Sequence, residues 1–373
     1  MAADLALGEH GALCGLLGLV VQNRVSRGFA LPPVELLDDS NQTGYLRLTC
    51  ARSTDSLQSM NAAKWFLGLC LVIPALWMGQ AWYLSERILA LGDSQYDEAA
   101  ELEILRGLGV SNLTRTPVEI PSDDITLAGS WFTRAELSQC AVILLPGVGG
   151  NRIQVLPALP IFWELGCHVL AYDPRGTGAS SRVPRTFGYA EKQDNVAVIR
   201  WIEQNTGIKA NAVGLWGPSF GGAVAIMTLD ELDPLSFVIA DSPFQSLVQV
   251  THDAVAFVTT PALASLLSPG VLKILEMRTG VAFDKVRPDR SIAAKSTPVL
   301  LIHALDDPAL PVAHSAAIHQ AGSASTDVEL QITDWGAGHA DSALIDPQAY
   351  GALIYAFLAA RESTSHLVKD LSP

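Results

Sequence analysis

The sequence holds only five cysteines, with no CxxC pair and no Cys/His cluster at metal-ligand spacing. Neither a zinc site nor a dense disulfide framework is expected. It also lacks an excess of basic residues: 24 Lys and Arg stand against 38 Asp and Glu, a formal net charge of −14. Phosphates would be repelled, which excludes nucleic acid as a partner. No long run of like charge marks a tail. No glycine-rich loop ends in the Lys-Ser/Thr pair that reaches nucleotide phosphates or shows the dinucleotide-binding spacing. The expectation is therefore a chemistry that needs no metal and no cofactor.

What is present divides unevenly. At 373 residues the chain exceeds a usual single domain, but α/β folds often fill about 250 residues with one core, so one catalytic domain preceded by an extension is the natural partition. Residues 1–59 read as an irregular extension in which an apolar piece, Gly11 to Val21, is too short to span a bilayer. Residues 60–86 contain WFLGLCLVIPALWMGQAWYLS, an uncharged run over residues 65–85 that predicts a single transmembrane signal-anchor, with Trp65, Trp77, Trp82 and Tyr83 at the interfaces. A buried helix of a soluble protein is the alternative, since Pro74 and Gln80 weaken the run. Met60 followed by Lys64 and the apolar run has the layout of a leading positive end, so the functional chain is expected to start near Met60. Arg47, Arg52 and Lys64 precede the run, which places the catalytic domain outside the cytoplasm. Residues 87–111 complete a charged stretch, Ser85 to Gly109, that reads as a helical linker.

From residue 112 to 361 strand and helix patterns alternate. Expected strands are Thr116 to Ile120, Ile125 to Phe132, Ala141 to Leu145, Val169 to Tyr172, Ala212 to Trp216, Phe237 to Ala240, Val299 to His303 and Val328 to Ile332. Helical stretches between the later ones predict an eight-stranded, mostly parallel sheet covered on both faces. In such sheets chemistry gathers at the carboxyl ends of the strands. Cys140 and Cys167 fall at the starts of two strands expected to be neighbours. Two buried free thiols are the preferred reading and a disulfide is the alternative. Residues 362–373 read as a C-terminal tail.

After the fifth strand comes Gly217-Pro218-Ser219-Phe220-Gly221. A strand, a tight bend and a packed helix make this a nucleophile elbow: Gly217 and Gly221 leave the bend unobstructed, and Ser219 is thrust out at the helix mouth. There the helix dipole and backbone N–H groups can stabilise negative charge. After the third strand, Pro146-Gly147-Val148-Gly149-Gly150-Asn151 is a loop able to turn its N–H groups to a bound oxygen, so Val148 and Phe220 N–H are the expected oxyanion-hole donors. The loop Asp173 to Ser180 reads as structural, with Arg175 bonding neighbouring loop carbonyls. After the seventh strand Asp306 and Asp307 compete to orient a histidine, with Asp241 as a third candidate. After the eighth, Gly336-Ala337-Gly338-His339 lets an imidazole approach the elbow as general base. The other histidines are assigned no chemistry.

The motifs GPSFGG, DPRGTGAS, IADSPF, LIHALDDPALPV and GAGHADS together resemble an α/β-hydrolase-superfamily serine hydrolase of the membrane-anchored, serine-aminopeptidase-like or esterase-like group, over Asn112 to the last helix. The resemblance implies that the acid lies four residues after His303 and four before Pro311, at Asp307. It also implies a helical lid between the sixth and seventh strands, residues 245–296. Two departures stand out: Pro146 replaces the family's His before Gly147, and Ala304 replaces the Gly after His303. The apolar content of the lid suggests an acyl pocket fed from the membrane side. The expected function is hydrolysis of an ester or thioester with an apolar, lipid-like acyl group through Ser219, His339 and Asp307 and an acyl-enzyme. The alternatives are a serine peptidase or amidase on short peptides, and a non-catalytic binding protein on the same fold.

Overall fold

Aliphatic and β-branched runs bounded by Gly and Pro become strands because such side chains fit a pleated surface covered on both faces. The computed structural model describes residues 94–369 apart from 136 and 137, and before them residues 77–79, 81–83, 85 and 86. Its strands are β1 (Thr114–Ser122), β2 (Ile125–Thr133), β3 (Ala141–Leu144), β4 (His168–Tyr172), β5 (Val213–Pro218), β6 (Phe237–Asp241), β7 (Val299–Ala304) and β8 (Val328–Thr333). They form one sheet in the order β1-β2-β4-β3-β5-β6-β7-β8. β2 pairs antiparallel with β1 and β4, and the remaining pairs are parallel. Each expected strand is found, its ends displaced by a residue or two.

The helices are α1 (Glu98–Gly107), α2 (Leu159–Glu164), α3 (Glu191–Thr206), α4 (Phe220–Thr228), α5 (Leu247–Val258), α6 (Pro261–Thr279), α7 (Pro288–Ser291), α8 (Ala313–Gly322), α9 (Ser342–Ile345) and α10 (Pro347–Ala359). Strand alternation divides the core. Ile143, Leu215 and Leu301 face Ile199 of α3, Ile226 of α4 and Ile318 of α8. Val142, Trp216 and Leu300 face Phe162 of α2 and Phe357 of α10. Each such side chain, fully buried, contributes about 1.5–3 kcal/mol relative to leaving it in water. A third cluster packs Val271, Ile274 and Leu275 of the lid helix α6 with Phe220, Val224 and Met227 of α4. The lid is thus built on the helix that carries the elbow.

The extension 1–59, the proposed start at Met60 and most of the uncharged run lie outside the described residues. Among the described residues no helix is long and apolar enough to cross a membrane. The described end of the run lies on the lid. The Trp77 ring is so close to Gly270 of α6 that a Cβ there would overlap it, and Arg278 covers the Trp82 ring, donates to Ser85 and pairs with Glu86.

Four expectations change. Cys140 and Cys167 are joined by a disulfide, not free. The parallel register Ala141↔His168 sets the two cysteines side by side with Cα atoms 4.8 Å apart, within bonding range. Arg175 does not bond loop carbonyls: its Nε and Nη2 donate to the two oxygens of Asp194, both at 2.7 Å. Asp194 is fully buried and also accepts from Ser122 Oγ at 2.6 Å, so a bidentate charged partner outcompetes neutral carbonyls. The linker is not one helix, because Ser94–Asp97 is non-helical and the Asp97 carboxylate caps a fresh start by accepting from Ala99 N–H. The tail contains a 3₁₀ turn, Ser365–Val368, with Leu367 buried in the second core.

Removing one member of a buried ion pair strands the other, so Arg175→Ala is expected to lower the unfolding free energy by about 3–5 kcal/mol. Urea denaturation measures it; a loss below about 1 kcal/mol would show that Asp194 does not depend on this partner.

Candidate active site

The bend at the end of β5 is a close-contact problem solved by glycine. Ser219 has φ +52° and ψ −117°, a conformation that costs a residue with a side chain about 1–3 kcal/mol. A Cβ on Gly217 would come within 2.5 Å of the Gly221 carbonyl carbon, and one on Gly221 within 2.2 Å of the Leu145 carbonyl oxygen. Ser219 N–H donates to the Asp241 carbonyl at 2.6 Å, tying the bend to the end of β6. Both elbow glycines therefore sit where the sequence pattern requires them.

The loops after β7 and β8 bring the other two side chains to this serine. His339 Nε2 lies 2.8 Å from Ser219 Oγ, and His339 Nδ1 lies 2.7 Å from Asp307 Oδ2. Since a carboxylate only accepts, Nδ1 carries the proton and Nε2 is left to accept from the serine hydroxyl. The imidazole is within direct reach without any loop movement. Asp306 stays exposed while Asp307 bonds His339, so the choice between the two adjacent carboxylates falls on Asp307.

Asp307 is held by more than His339. Its Oδ1 accepts from Ala309 and Leu310 N–H, both at 2.8 Å, and His303 Nε2 stands 3.4 Å from Oδ2. Burial alone would raise this carboxyl, but the hydrogen bonds from His303, His339 and Leu310 outweigh it and hold the group far below the usual carboxylate range. His303 itself is fully buried. Its Nε2 lies 2.9 Å from the Leu310 carbonyl and so carries the proton, while Nδ1 accepts from Ser315 Oγ at 2.7 Å. Its supporting role went unread in the sequence, although its position four residues before Asp307 was visible there.

The loop after β3 lies against the elbow through the Gly221–Leu145 contact. Phe220 is the first residue of α4, so its N–H has no partner within the helix. Among the described residues no acceptor takes the Val148 N–H. The loop is braced from inside by Gln154, whose Oε1 accepts from Gly147 N–H at 2.9 Å, and by Gly150 N–H donating to the Gly147 carbonyl. Neither brace was signalled by a motif. The same holds for Arg152, buried at 3% exposure behind the loop, whose N–H donates to Asp173 Oδ1. Among the described residues no group of three or more His, Cys, Asp or Glu side chains is arranged to hold a metal ion.

Asp241, the third acid candidate, is not in the hydrogen-bonded chain; it lies fully buried beneath it. Burial raises its carboxyl to about 6, against the Ser242 and Tyr350 hydroxyls and the charges of His303 and His339, which pull it down.

With this geometry in hand, comparison with known proteins places the chain. The model of the prolyl oligopeptidase family matches residues 155–360, more than half the chain, a span that takes in Ser219, Asp307 and His339. An uncharacterized Bacillus subtilis protein, YqkD, is 29% identical over 182 residues, covering 48% of this chain and 59% of its own. The lysophosphatidylserine lipase ABHD12 of Macaca fascicularis is 28% identical over 194 residues, 48% of this chain and 45% of its own. The chain thus spans about half the length of the curated relatives it matches. Among solved structures the Pyrococcus furiosus esterase Pf2001 superposes with a TM-score of 0.55 at 25% identity, over 68% of this chain and 94% of the esterase.

The raised Asp241 carboxyl gives a pH signature. Ionising it costs more in the fold than in the unfolded chain, so its contribution is intact below about pH 4 and is lost as pH rises from there through about 6, on the order of 3 kcal/mol. The depressed Asp307 acts in the opposite sense, its stabilisation present above the ordinary carboxylate range and lost as pH falls. Asp241→Asn is expected to remove the decline between pH 4 and 6 from the unfolding free energy. Superimposable profiles for the variant and the parent protein would contradict it.

Proposed function

The chain belongs to the prolyl oligopeptidase family, within the α/β-hydrolase superfamily, and from that premise we propose that it hydrolyses an ester or thioester with an apolar acyl group through an acyl-enzyme. The observation that carries this reading is the unbroken Asp307–His339–Ser219 hydrogen-bond chain at the elbow. Ser219 Oγ attacks the carbonyl carbon while His339 Nε2 takes its proton, and Asp307 stabilises the imidazolium. The tetrahedral oxygen accepts from Val148 and Phe220 N–H, and a donor of this kind is worth about 10²–10³ in kcat. Collapse returns the His339 proton to the leaving oxygen or sulfur. A water then gives its proton to His339 and attacks the acyl-serine carbonyl, and collapse breaks the acyl–Oγ bond, frees the acid and returns the His339 proton to Ser219 Oγ.

Preference for an apolar acyl group rests on the apolar cluster that Phe220 joins beside the elbow. Phe220 adjoins Ser219, and Phe244, Leu247 and Leu310 belong to the same lid-side cluster as Phe220. Relatives named as an esterase and a lipase point the same way. The family's description favours a second reading, cleavage of short peptides or amides.

We propose further that residues 65–85 attach the enzyme to a membrane, with the catalytic domain outside the cytoplasm. The Cys140–Cys167 disulfide supports an oxidising compartment. A bilayer core takes about 20 helical residues. With Trp77 and Trp82 held against α6, that end of the run stays on the lid, so the attachment sets the lid itself at the bilayer surface. Phe257, Leu266 and Met277 of the lid, 76%, 73% and 67% exposed, supply an apolar face for that position.

Ser219→Ala is expected to lose at least about 10⁴-fold in kcat and all labelling by a fluorophosphonate. Labelling of the variant at the parent rate would leave only the non-catalytic alternative. On p-nitrophenyl esters of rising chain length against aminoacyl anilides, kcat/KM is expected to favour the esters; the reverse order selects the peptide reading. Leu266→Glu with Met277→Glu is expected to weaken binding to phosphatidylcholine vesicles while ester hydrolysis in solution is kept. Unchanged vesicle binding would remove the lid from the membrane surface.

A further inference from the structure

The loop that would carry the Val148 N–H has glycine at 147, 149 and 150. Three glycines in four residues leave the backbone soft, so the direction of that N–H is not set by local sequence. It has to be imposed from outside the loop. Gln154 and the Gly150 turn fix its first residue. The portion after Val148 is fixed by residues far away in sequence.

Ser94, Gln95 and Tyr96 run across this portion. Ser94 Oγ donates to the Gly149 carbonyl at 2.8 Å, and the Ser94 carbonyl accepts from Gly178 N–H at 2.9 Å. The Gln95 carbonyl accepts from Asn151 Nδ2 at 3.0 Å. The Tyr96 ring lies under the Arg152 guanidinium, 3.7 Å from centroid to Cζ. One short segment therefore holds three residues of the loop after β3 and one of the loop after β4. It is held in turn from behind: Tyr96 OH donates to Glu101 Oε2 at 2.5 Å, and Arg115 donates to both, at 2.6 and 2.7 Å. Glu101 is fully buried. Burial alone would raise its carboxyl, yet the bonds from Arg115, Ser130 and Tyr96 bring it below the ordinary value, so the anchor is a buried ion pair with Arg115 made through Oε2.

We propose that Ser94–Tyr96 is a positioning strap for the oxyanion loop, setting the direction of the Val148 N–H and making transition-state stabilisation depend on a segment that precedes the catalytic sheet. The strap leaves the N-terminal side of the domain, next to the stretch that docks on the lid. The proposal rests on the reading of Ser219 as nucleophile and Val148 as oxyanion donor. Ser94 touches no reacting atom and acts through Gly149.

The test uses the full chain with p-nitrophenyl butanoate as substrate and butylboronic acid as a tetrahedral analogue that places an oxygen in the same hole. Ser94→Ala is expected to lower kcat by about 10-fold or more and to weaken the boronate by a similar factor, with KM changed less than about 2-fold. Ser94→Thr keeps the hydroxyl and is expected to restore both. A merely structural role would change the melting midpoint and leave the kcat-to-KM split and the boronate affinity alone. Parent-like kcat and boronate affinity in Ser94→Ala would overturn the strap. A Ser219→Ala variant that still turns over the ester would instead overturn the reading beneath it, so the two failures are told apart.

Discussion

Everything in this site depends on one steric constraint, the passage of the chain through Ser219 with no room for side chains beside it. The backbone there is strained, wedged between the end of β3 at Leu145 and the end of β6 at Asp241. The strain is affordable because β5 and α4 on either side are buried along their whole lengths. Hydrophobic burial of those two elements outweighs a cost of about 1–3 kcal/mol at one residue. The same wedge puts the first N–H groups of α4 next to the loop after β3, so the strain that exposes the hydroxyl also assembles the proposed oxyanion site.

Buried charge is the second theme, and it is handled in two ways. Asp307, Asp194 and Glu101 each accept from several donors, which fixes the groups they hold: an imidazole, the Asp173–Ser180 loop through Arg175, and the strap through Tyr96. Asp241 has fewer donors, and burial binds its proton more tightly instead.

The catalytic sheet and the three converging side chains were legible in the sequence because each carries a local mark: a strand followed by tiny residues around a Ser, an acid or a His. The eight strands were readable from period and β-branching alone. What was not legible depends on contacts across long separations. The Cys140–Cys167 bond needed the register of β3 with β4, and the pairing of Arg175 needed Asp194 on a helix beginning well downstream. The strap was hidden for a different reason. Ser94 to Asp97 sits in a stretch whose charge pattern reads as continuous helix, and only the Asp97 cap shows that the helix begins afresh. His303 was misjudged because a buried histidine acting on a carboxylate leaves the same trace in sequence as one that merely fills space.

The central claim is that one serine, one imidazole and two backbone N–H groups share a single reaction centre. The most direct measurement is a crystal structure of the protein inactivated with an alkyl fluorophosphonate. The account predicts phosphorus bonded to Ser219 Oγ, the phosphoryl oxygen about 3 Å from both Val148 and Phe220 nitrogens, and His339 still on Asp307. Phosphorus on another residue, or a phosphoryl oxygen turned away from both amides, would contradict it.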